Sequence, residues 1–416
     1  MALSPGEGRT LALPAMANEA ATQPPTPPEA AVWLARDAVD SLPAGELERR
    51  LQRAGAEGRP LRVKLGIDPT APDIHLGHTV VLTKLREFQQ LGHTIVLIIG
   101  DYTARVGDPT GRSQTRPVLS GEEIDAHADT FAAQAGRVLD MDAVELRRNG
   151  EWLDMPAERL FGLARTATVA QILERDDFAG RYRAREPISV LELLYPLLQG
   201  YDSVAVDADV ELGGTDQKFN LLLGREVQRA YGVAEQTILT LPILTGVDGE
   251  RKMSKSLGND VGVSEPPGEM YGRTLRIPDT VLAEWWSLLL GEPPPARLAP
   301  RDAKRELARR LVDRYHGSGT GERAERTFDE VFLHGGRPEE IEESAFSATD
   351  GVVHLPALLA TLFGISRAEA RRLLEQGGVR LDGTPLGGAE LDLAAARLDG
   401  SVLQVGKRRY RRLRRT

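Results

Sequence analysis

Two short stretches of this chain hold residues whose types and spacing could do chemistry. The first, Asp68-Pro69-Thr70-Ala71-Pro72-Asp73-Ile74-His75-Leu76-Gly77-His78, carries two imidazoles three residues apart with a glycine between them. Imidazoles can donate hydrogen bonds to phosphate oxygens as charge moves in a transition state. A residue without Cβ lets a flat ring lie against the backbone. Two histidines at this spacing could also ligate a metal, or have no role. A metal would need a third ligand held near, and the usual zinc signatures, His-Glu-x-x-His and cysteine pairs, are missing. The second stretch is Lys252-Met253-Ser254-Lys255-Ser256, two lysines three apart in a glycine-flanked loop with small hydroxyl residues between. Alone it reads as an ordinary solvated loop. With the first stretch ahead of it, it reads as a mobile cationic arm for phosphate chemistry.

The elements around these stretches must position them. Leu61 to Ile67 is strand-like, a helix with Val81, Leu82, Leu85 and Phe88 on or near one face follows, and it stops near Gly92. Thr94 to Ile99 is then a short apolar run ending at Gly100, which completes a βαβ unit with a buried parallel strand. Ligands of such units sit beyond the carboxyl ends of the strands, where helix N-termini offer free N–H groups. The loop from Gly100 to Arg112, with Arg116 beyond it, follows a buried strand and is dense in glycine. Ser120 to Leu194 reads as mainly helical, through Phe131, Ala135, Val138 and Leu139, and as an insertion between two halves of a sheet. Strand character resumes at Ser203–Val206 and Val210–Leu212, and Gly213-Gly214-Thr215-Asp216-Gln217 opens a helix through Leu222, Val227 and Tyr231. Thr237 to Thr245 is a further strand-like run leading into the lysine loop.

The expected fold class is α/β: a doubly wound, Rossmann-like parallel sheet with a helical insertion, a helical domain and a small α+β domain. Residues 1–29, rich in Ala, Pro, Gly and Thr without hydrophobic period, read as a disordered tail in which Met16 is an alternative start. Residues 30–260 form the Rossmann-like domain, with helices expected from Ala30 to Ala54 and the insertion at about 120–194. Residues 261–346 form the helical domain, where Leu307, Leu311 and Tyr315 make an apolar stripe. Residues 347–416 form the small domain, with a helix from Ser366 capped by that serine, a strand–turn–strand over Val379–Leu386, and a basic tail from Lys407 to Arg415.

Composition narrows the class further. The chain has 416 residues, no cysteine and a net charge of −9, so disulfides and thiolate sites are excluded. No apolar run reaches the ~20 residues that span a bilayer. The N-terminus lacks the pattern of a signal peptide. A soluble, cytoplasmic protein is expected. An acidic chain with a basic tail points to a confined polyanion contact.

Together the two stretches resemble the signatures of class I aminoacyl-tRNA synthetases, His75-Leu76-Gly77-His78 for one and Lys252 to Ser256 for the other. Gly66-Ile67-Asp68-Pro69-Thr70, Gly107-Asp108-Pro109-Thr110-Gly111-Arg112, Tyr195-Pro196-Leu197-Leu198-Gln199-Gly200-Tyr201-Asp202 and Gly213 to Gln217 resemble landmarks of the bacterial tyrosyl branch. Ser366 to Arg372 and Gly378 to Gly383 are similar to an S4 RNA-binding domain. The resemblance covers nearly everything after residue 30.

It implies activation of L-tyrosine by ATP and transfer to the terminal ribose of tRNA(Tyr), with 261–346 as the anticodon-binding domain. Thr70, His75 and His78 would stabilise the pentacoordinate phosphate, and Lys252, Lys255, Arg112 and Arg116 the leaving pyrophosphate. ATP would rest against Gly77, His75, His78, Gly214, Asp216 and Lys255. Asp108, Tyr195 and Gln199 would hold the α-ammonium, Asp202 the phenol, and Gln217 the reacting end of tyrosine. Arg367, Arg371 and Arg372 would meet tRNA. ATP with Mg²⁺ enters as substrate, no organic cofactor or dedicated protein-bound metal is implied, and the family is homodimeric through the region after Ser120.

The tryptophanyl branch shares the fold and both signatures, but Asp202 and the Gly213–Gln217 run favour tyrosine. A catalytically inactive S4-containing RNA-binding protein is the reading from another class, which the intact histidine and lysine pairs oppose. A small adenylyltransferase would need neither the helical nor the S4-like domain. Lys64 and Leu65 stand where many relatives carry Tyr and Cys, and Glu211 where Gln is frequent. Lys64 is accordingly left outside the expected site.

Overall fold

The computed structural model describes residues 25–69, 73–108, 120–332, 341–348, 351–388, 390–406 and 409–415. Thr70, Arg112, Arg116, Lys407, Arg408 and the chain before residue 25 lie outside them. The chain divides into two compact units, 1–321 and 322–416.

The first unit is built on a sheet that has six strands among the described residues. These are β1 (Asp40–Leu42), β2 (Arg62–Ile67), β3 (Thr94–Ile99), β4 (Val144–Arg148), β5 (Val210–Gly214) and β6 (Thr237–Leu241), in the order β1-β6-β5-β2-β3-β4. β2 to β6 run parallel, and counted along the chain they stand in the doubly wound order 3-2-1-4-5. The order reverses between β2 and β5, so the crevice at their carboxyl ends is where this topology holds ligands. β3 and β6 are almost wholly buried, as the Ile-Val-Leu-Ile-Ile run of β3 and the Ile-Leu-Thr-Leu run of β6 suit in a sheet covered on both faces.

Three local expectations are corrected. Ser203–Val206 is not a strand: through Ala205 it continues the helix Val190–Ala205, whose Leu194, Leu197, Leu198, Tyr201 and Val204 keep the helical period. Ser189 starts that helix, its Oγ accepting the Leu191 N–H at 3.2 Å while the Glu192 carboxylate accepts the Ser189 N–H at 2.7 Å. The insertion is not wholly helical, because β4 lies within it and pairs with β3. The segment from Ala30 to Ala54 holds helices but also β1, which closes the other edge antiparallel to β6.

Beyond β6 the unit is helical, with Pro267–Thr274, Leu282–Leu290 and Pro300–His316. Leu307, Leu311 and Tyr315 are buried as their stripe requires. Trp285 and Trp286 are fully buried, and the Trp285 indole N–H donates to the Thr245 carbonyl at 2.9 Å. That bond ties the helical region to the segment entering the lysine loop.

The second unit carries β7 (Glu343–Phe346), β8 (Val352–His354), β9 (Val379–Leu381), β10 (Thr384–Pro385), β11 (Asp392–Ala394), β12 (Val402–Val405) and β13 (Arg409–Arg415). Five of them form the sheet β10-β9-β12-β13-β7, and β11 pairs with β8. The arginine-rich tail is therefore an inner strand: β13 buries Tyr410 and Leu413 and pairs with β12 on one side and β7 on the other. The strand β7 starts this sheet in residues that the sequence reading gave to the helical region. The helix Arg367–Glu375 is capped by Ser366, whose Oγ accepts the Glu369 N–H at 3.1 Å, and it buries Ala370 and Leu374.

Candidate active site

His75 sits at the N-cap of the helix Leu76–Gln90, where its backbone N–H donates to Nδ1 of His78 at 3.2 Å. That bond makes His78 Nδ1 an acceptor and leaves the proton on Nε2. The two imidazoles stack with centroids 3.9 Å apart. Burial lowers His75 to about 4, with the Lys255 charge adding to the effect, and holds His78 well below the usual histidine range. Both are neutral at physiological pH. The site therefore offers stacked N–H donors at a helix N-terminus, a neutral cradle for an oxyanion.

The lysine loop lies on this cradle. His75 bridges antiparallel to Gly262, the Leu76 N–H donates to the Val261 carbonyl at 2.9 Å, and the Val263 N–H donates to the Ile74 carbonyl at 2.9 Å. Met253 is buried, and the Gly77 N–H points at its sulfur at 3.3 Å. Asn259 shapes the loop from inside: its Oδ1 accepts the Ser254 N–H at 2.8 Å, while Nδ2 donates to Asp248 at 2.9 Å and to the Lys252 carbonyl at 3.1 Å. Lys252 Nζ is 3.1 Å from Asp216, and Lys255 Nζ pairs with Asp73.

Behind the cradle, beyond β2 and β3, stands a group of carboxylates. Asp68 accepts the Tyr195 hydroxyl at 2.8 Å and the Thr103 hydroxyl at 2.6 Å. Gly100 permits this, since a Cβ there would fall 2.1 Å from Asp68 Oδ1. Burial and the neighbouring Asp108 and Asp202 push Asp68 up to about 7. Asp108 accepts from Gln217 Nε2 at 2.9 Å, and Asn220 Nδ2 donates to both Gln199 and Gln217 at 3.0 Å. Asp202, buried, accepts the Trp152 indole N–H at 2.8 Å and Asn149 Nδ2 at 3.4 Å. Burial raises Asp202 to about 6, against the pull of Lys64 and these two donors. Such a set of clustered, partly desolvated carboxylates favours a ligand that brings a cation and a hydroxyl.

Residues 56–333 match the family described as tRNA synthetases class I (W and Y). The chain belongs to that family. Residues 355–387 match the S4 domain. The chain is similar to the tyrosine–tRNA ligase of Moorella thermoacetica, 46% identical over 91% of this chain and 94% of that one. It is likewise similar to that of Ralstonia nicotianae, 48% identical over 91% of this chain and 98% of that one. In fold it resembles a C-terminally truncated mitochondrial tyrosyl-tRNA synthetase of Aspergillus nidulans, with a TM-score of 0.59, 20% identity and coverage of 74% and 94%.

In this class I synthetase the structure gathers His75, Gly77, His78, Lys252 and Lys255 at one place, with Asp216 beside Lys252. Gly214 sits at the end of β5, where a Cβ would fall 2.8 Å from the Asp216 carboxylate. Asp108 and Asp202 belong to the carboxylate group, Tyr195 and Gln217 donate to it, and Gln199 joins it through Asn220. Arg367, Arg371 and Arg372 are exposed on their helix in the second unit. Sequence reasoning missed Asp68, Asp73, Thr103, Asn149, Trp152, Asn220 and Asn259 as site residues. Asn149 and Trp152 carry a usable signal, being polar groups three apart immediately after a strand, but that strand itself was unread.

Proposed function

We propose that the chain is a tyrosine–tRNA ligase. The observation that carries the reading is Asp202, a buried carboxylate held by Trp152 and Asn149 at the far end of a site whose other end is the histidine cradle. A carboxylate in that place accepts a phenolic O–H, a bond that a phenyl ring cannot make. Relatives that share nearly half their residues with almost the whole chain support the same substrate.

In the first step a carboxylate oxygen of tyrosine attacks the α-phosphorus of ATP, the bond to the bridging oxygen breaks, and pyrophosphate leaves. ATP comes with Mg²⁺ as part of the substrate. His75 and His78 donate neutral N–H bonds to the α-phosphate as its charge builds, at the positive end of a helix. Asp68, Asp108, Tyr195 and Gln199 fix the α-ammonium, Asp202 the phenol, and Gln217 the reacting end, so the attacking oxygen is aligned before chemistry. Lys252 and Lys255 exchange Asp216 and Asp73 for the polyphosphate. Exposed ion pairs contribute only about 0–1 kcal/mol, so a multiply charged phosphate displaces them at little cost. Thr70, Arg112 and Arg116 are assigned to the phosphates by resemblance. In the second step tyrosine passes to the 3′-terminal ribose of tRNA(Tyr).

For tRNA, Arg367, Arg371 and Arg372 supply an exposed basic face on the S4-like unit. Exposed Phe161, Val169, Tyr182, Val190 and Leu191 lie in the insertion, the region through which the resemblance implies a homodimer, and offer apolar surface for it. No helix among the described residues is long and apolar enough to cross a membrane, which is compatible with a cytoplasmic site of action. Amino-acid-dependent ATP–pyrophosphate exchange, run with each of the amino acids, tests the proposal. Exchange with tyrosine alone is expected; exchange with tryptophan and none with tyrosine would overturn it.

A further inference from the structure

Lys64 is fully buried in the middle of β2, and its Cα is paired across the sheet with Glu211 on β5. This is the switch point of the sheet, directly under the site. Its Nζ lies 2.7 Å from Glu211 Oε1, donates to the Gln199 carbonyl at 3.0 Å and to Ser203 Oγ at 2.8 Å. An ammonium has three N–H donors, and all three are committed to protein acceptors. Glu211 is equally engaged: its Oε2 accepts the Ser203 hydroxyl at 3.1 Å and the Gln236 side-chain N–H.

We propose that Lys64 and Glu211 form a charge-paired base for the ring-recognition end of the site, in which Lys64 is a positioning residue that acts through Asp202 and touches no substrate atom. The inference rests on the reading of Asp202 as the phenol acceptor. Lys64 cannot replace a hydroxyl donor to the substrate, because it has no N–H left to give. What remains is its charge, which the bonds to Gln199 and Ser203 hold against the helix that carries Asp202, next in the chain to Ser203, and which favours the ionised form of that carboxylate. Glu211 acts on Asp202 in the opposite sense. The other groups facing Asp202 are Trp152 and Asn149, which donate to it, and Asp68 and Tyr195, which share its field. The lysine thus favours a charged acceptor for the phenol, and a charged acceptor makes the stronger bond. Glu211 offsets much of the cost of burying the ammonium, and the Gln199 carbonyl and Ser203 hydroxyl, which remain in E211Q, satisfy its other N–H groups.

The experiment compares kcat/KM for tyrosine and for phenylalanine in pyrophosphate exchange across the acid range, using the whole enzyme. Both amino acids carry the α-ammonium, so titration of Asp68 cancels in their ratio and Asp202 remains. In the parent the ratio falls as Asp202 takes up its proton. In K64M that midpoint moves to higher pH by about one unit, and in E211Q it moves to lower pH by a similar amount. Mere structural damage would not move the two in opposite directions. Should K64M fail to fold, E211Q is compared with K64M/E211Q, which lack the buried carboxylate and differ only in the lysine; the midpoint is expected higher in the double variant. Midpoints that coincide in each pair would overturn the inference while leaving tyrosine activation in place. Failure of the parent to use tyrosine at all would instead overturn the proposed function.

Discussion

The backbone N–H of Gly77 points at the thioether sulfur of Met253 at 3.3 Å, so the lysine loop rests on the turn that carries the two histidines. A Cβ at Gly77 would fall 3.0 Å from the His75 imidazole and 3.5 Å from Met253 Cβ. The imidazole is stacked on His78, so a shift of the ring disturbs that pair as well. G77A should therefore displace His75 from the phosphate and cut the pyrophosphate-exchange rate by about 10²-fold. Tyrosine affinity, measured by equilibrium dialysis, should hold, because Gly77 touches none of the carboxylates. A loss of tyrosine binding equal to the loss of rate would contradict the assignment.

Asp68 is raised to about 7, well above an ordinary aspartate. Between about pH 4 and pH 7 the folded chain holds a proton there that the unfolded chain has lost, so this group makes the fold less stable as pH rises through that window. D68N should melt above the parent near neutral pH, with the difference closing toward pH ~4. Tyrosine binding runs the other way. It needs the carboxylate as partner for the α-ammonium, so KM for tyrosine in the parent rises as pH falls below about 7, and D68N raises it about tenfold at neutral pH. Calorimetry and steady-state exchange read the two effects separately.

Arg367, Arg371 and Arg372 stand exposed while Ala370 and Leu374 on the same helix fill the core, so their charges can change without disturbing packing. Replacing Arg367 and Arg371 by Glu should lower tRNA charging at limiting tRNA about tenfold, and flatten the dependence of tRNA affinity on salt. Exchange measured without tRNA should keep its rate. An equal fall in both steps would remove this face from the tRNA contact.

The βαβ unit from Leu61 to Ile99 was legible because its hydrophobic period changes cleanly from strand to helix to strand. β4 was not. Val144 to Arg148 is five residues long, mixes charged with apolar residues, and lies at a sheet edge where little burial is demanded. Ser203–Val206 misled for the opposite reason: a short apolar run fits either period, and only the sixteen-residue helix containing it decides. Trp152 and Asp202 are fifty residues apart, so nothing local links them.

The two motifs, read together in the sequence, already pointed to phosphate chemistry beyond the carboxyl ends of a parallel sheet, since glycine, histidine and lysine at those spacings depend on short-range geometry. Tertiary structure decided the charge states. It makes both histidines neutral, holds the lysines on Asp216 and Asp73, and gives Lys64 to Glu211. The physical reason is that burial and charge pairing depend on which groups meet across the fold, and those groups come from strands and helices far apart in the chain.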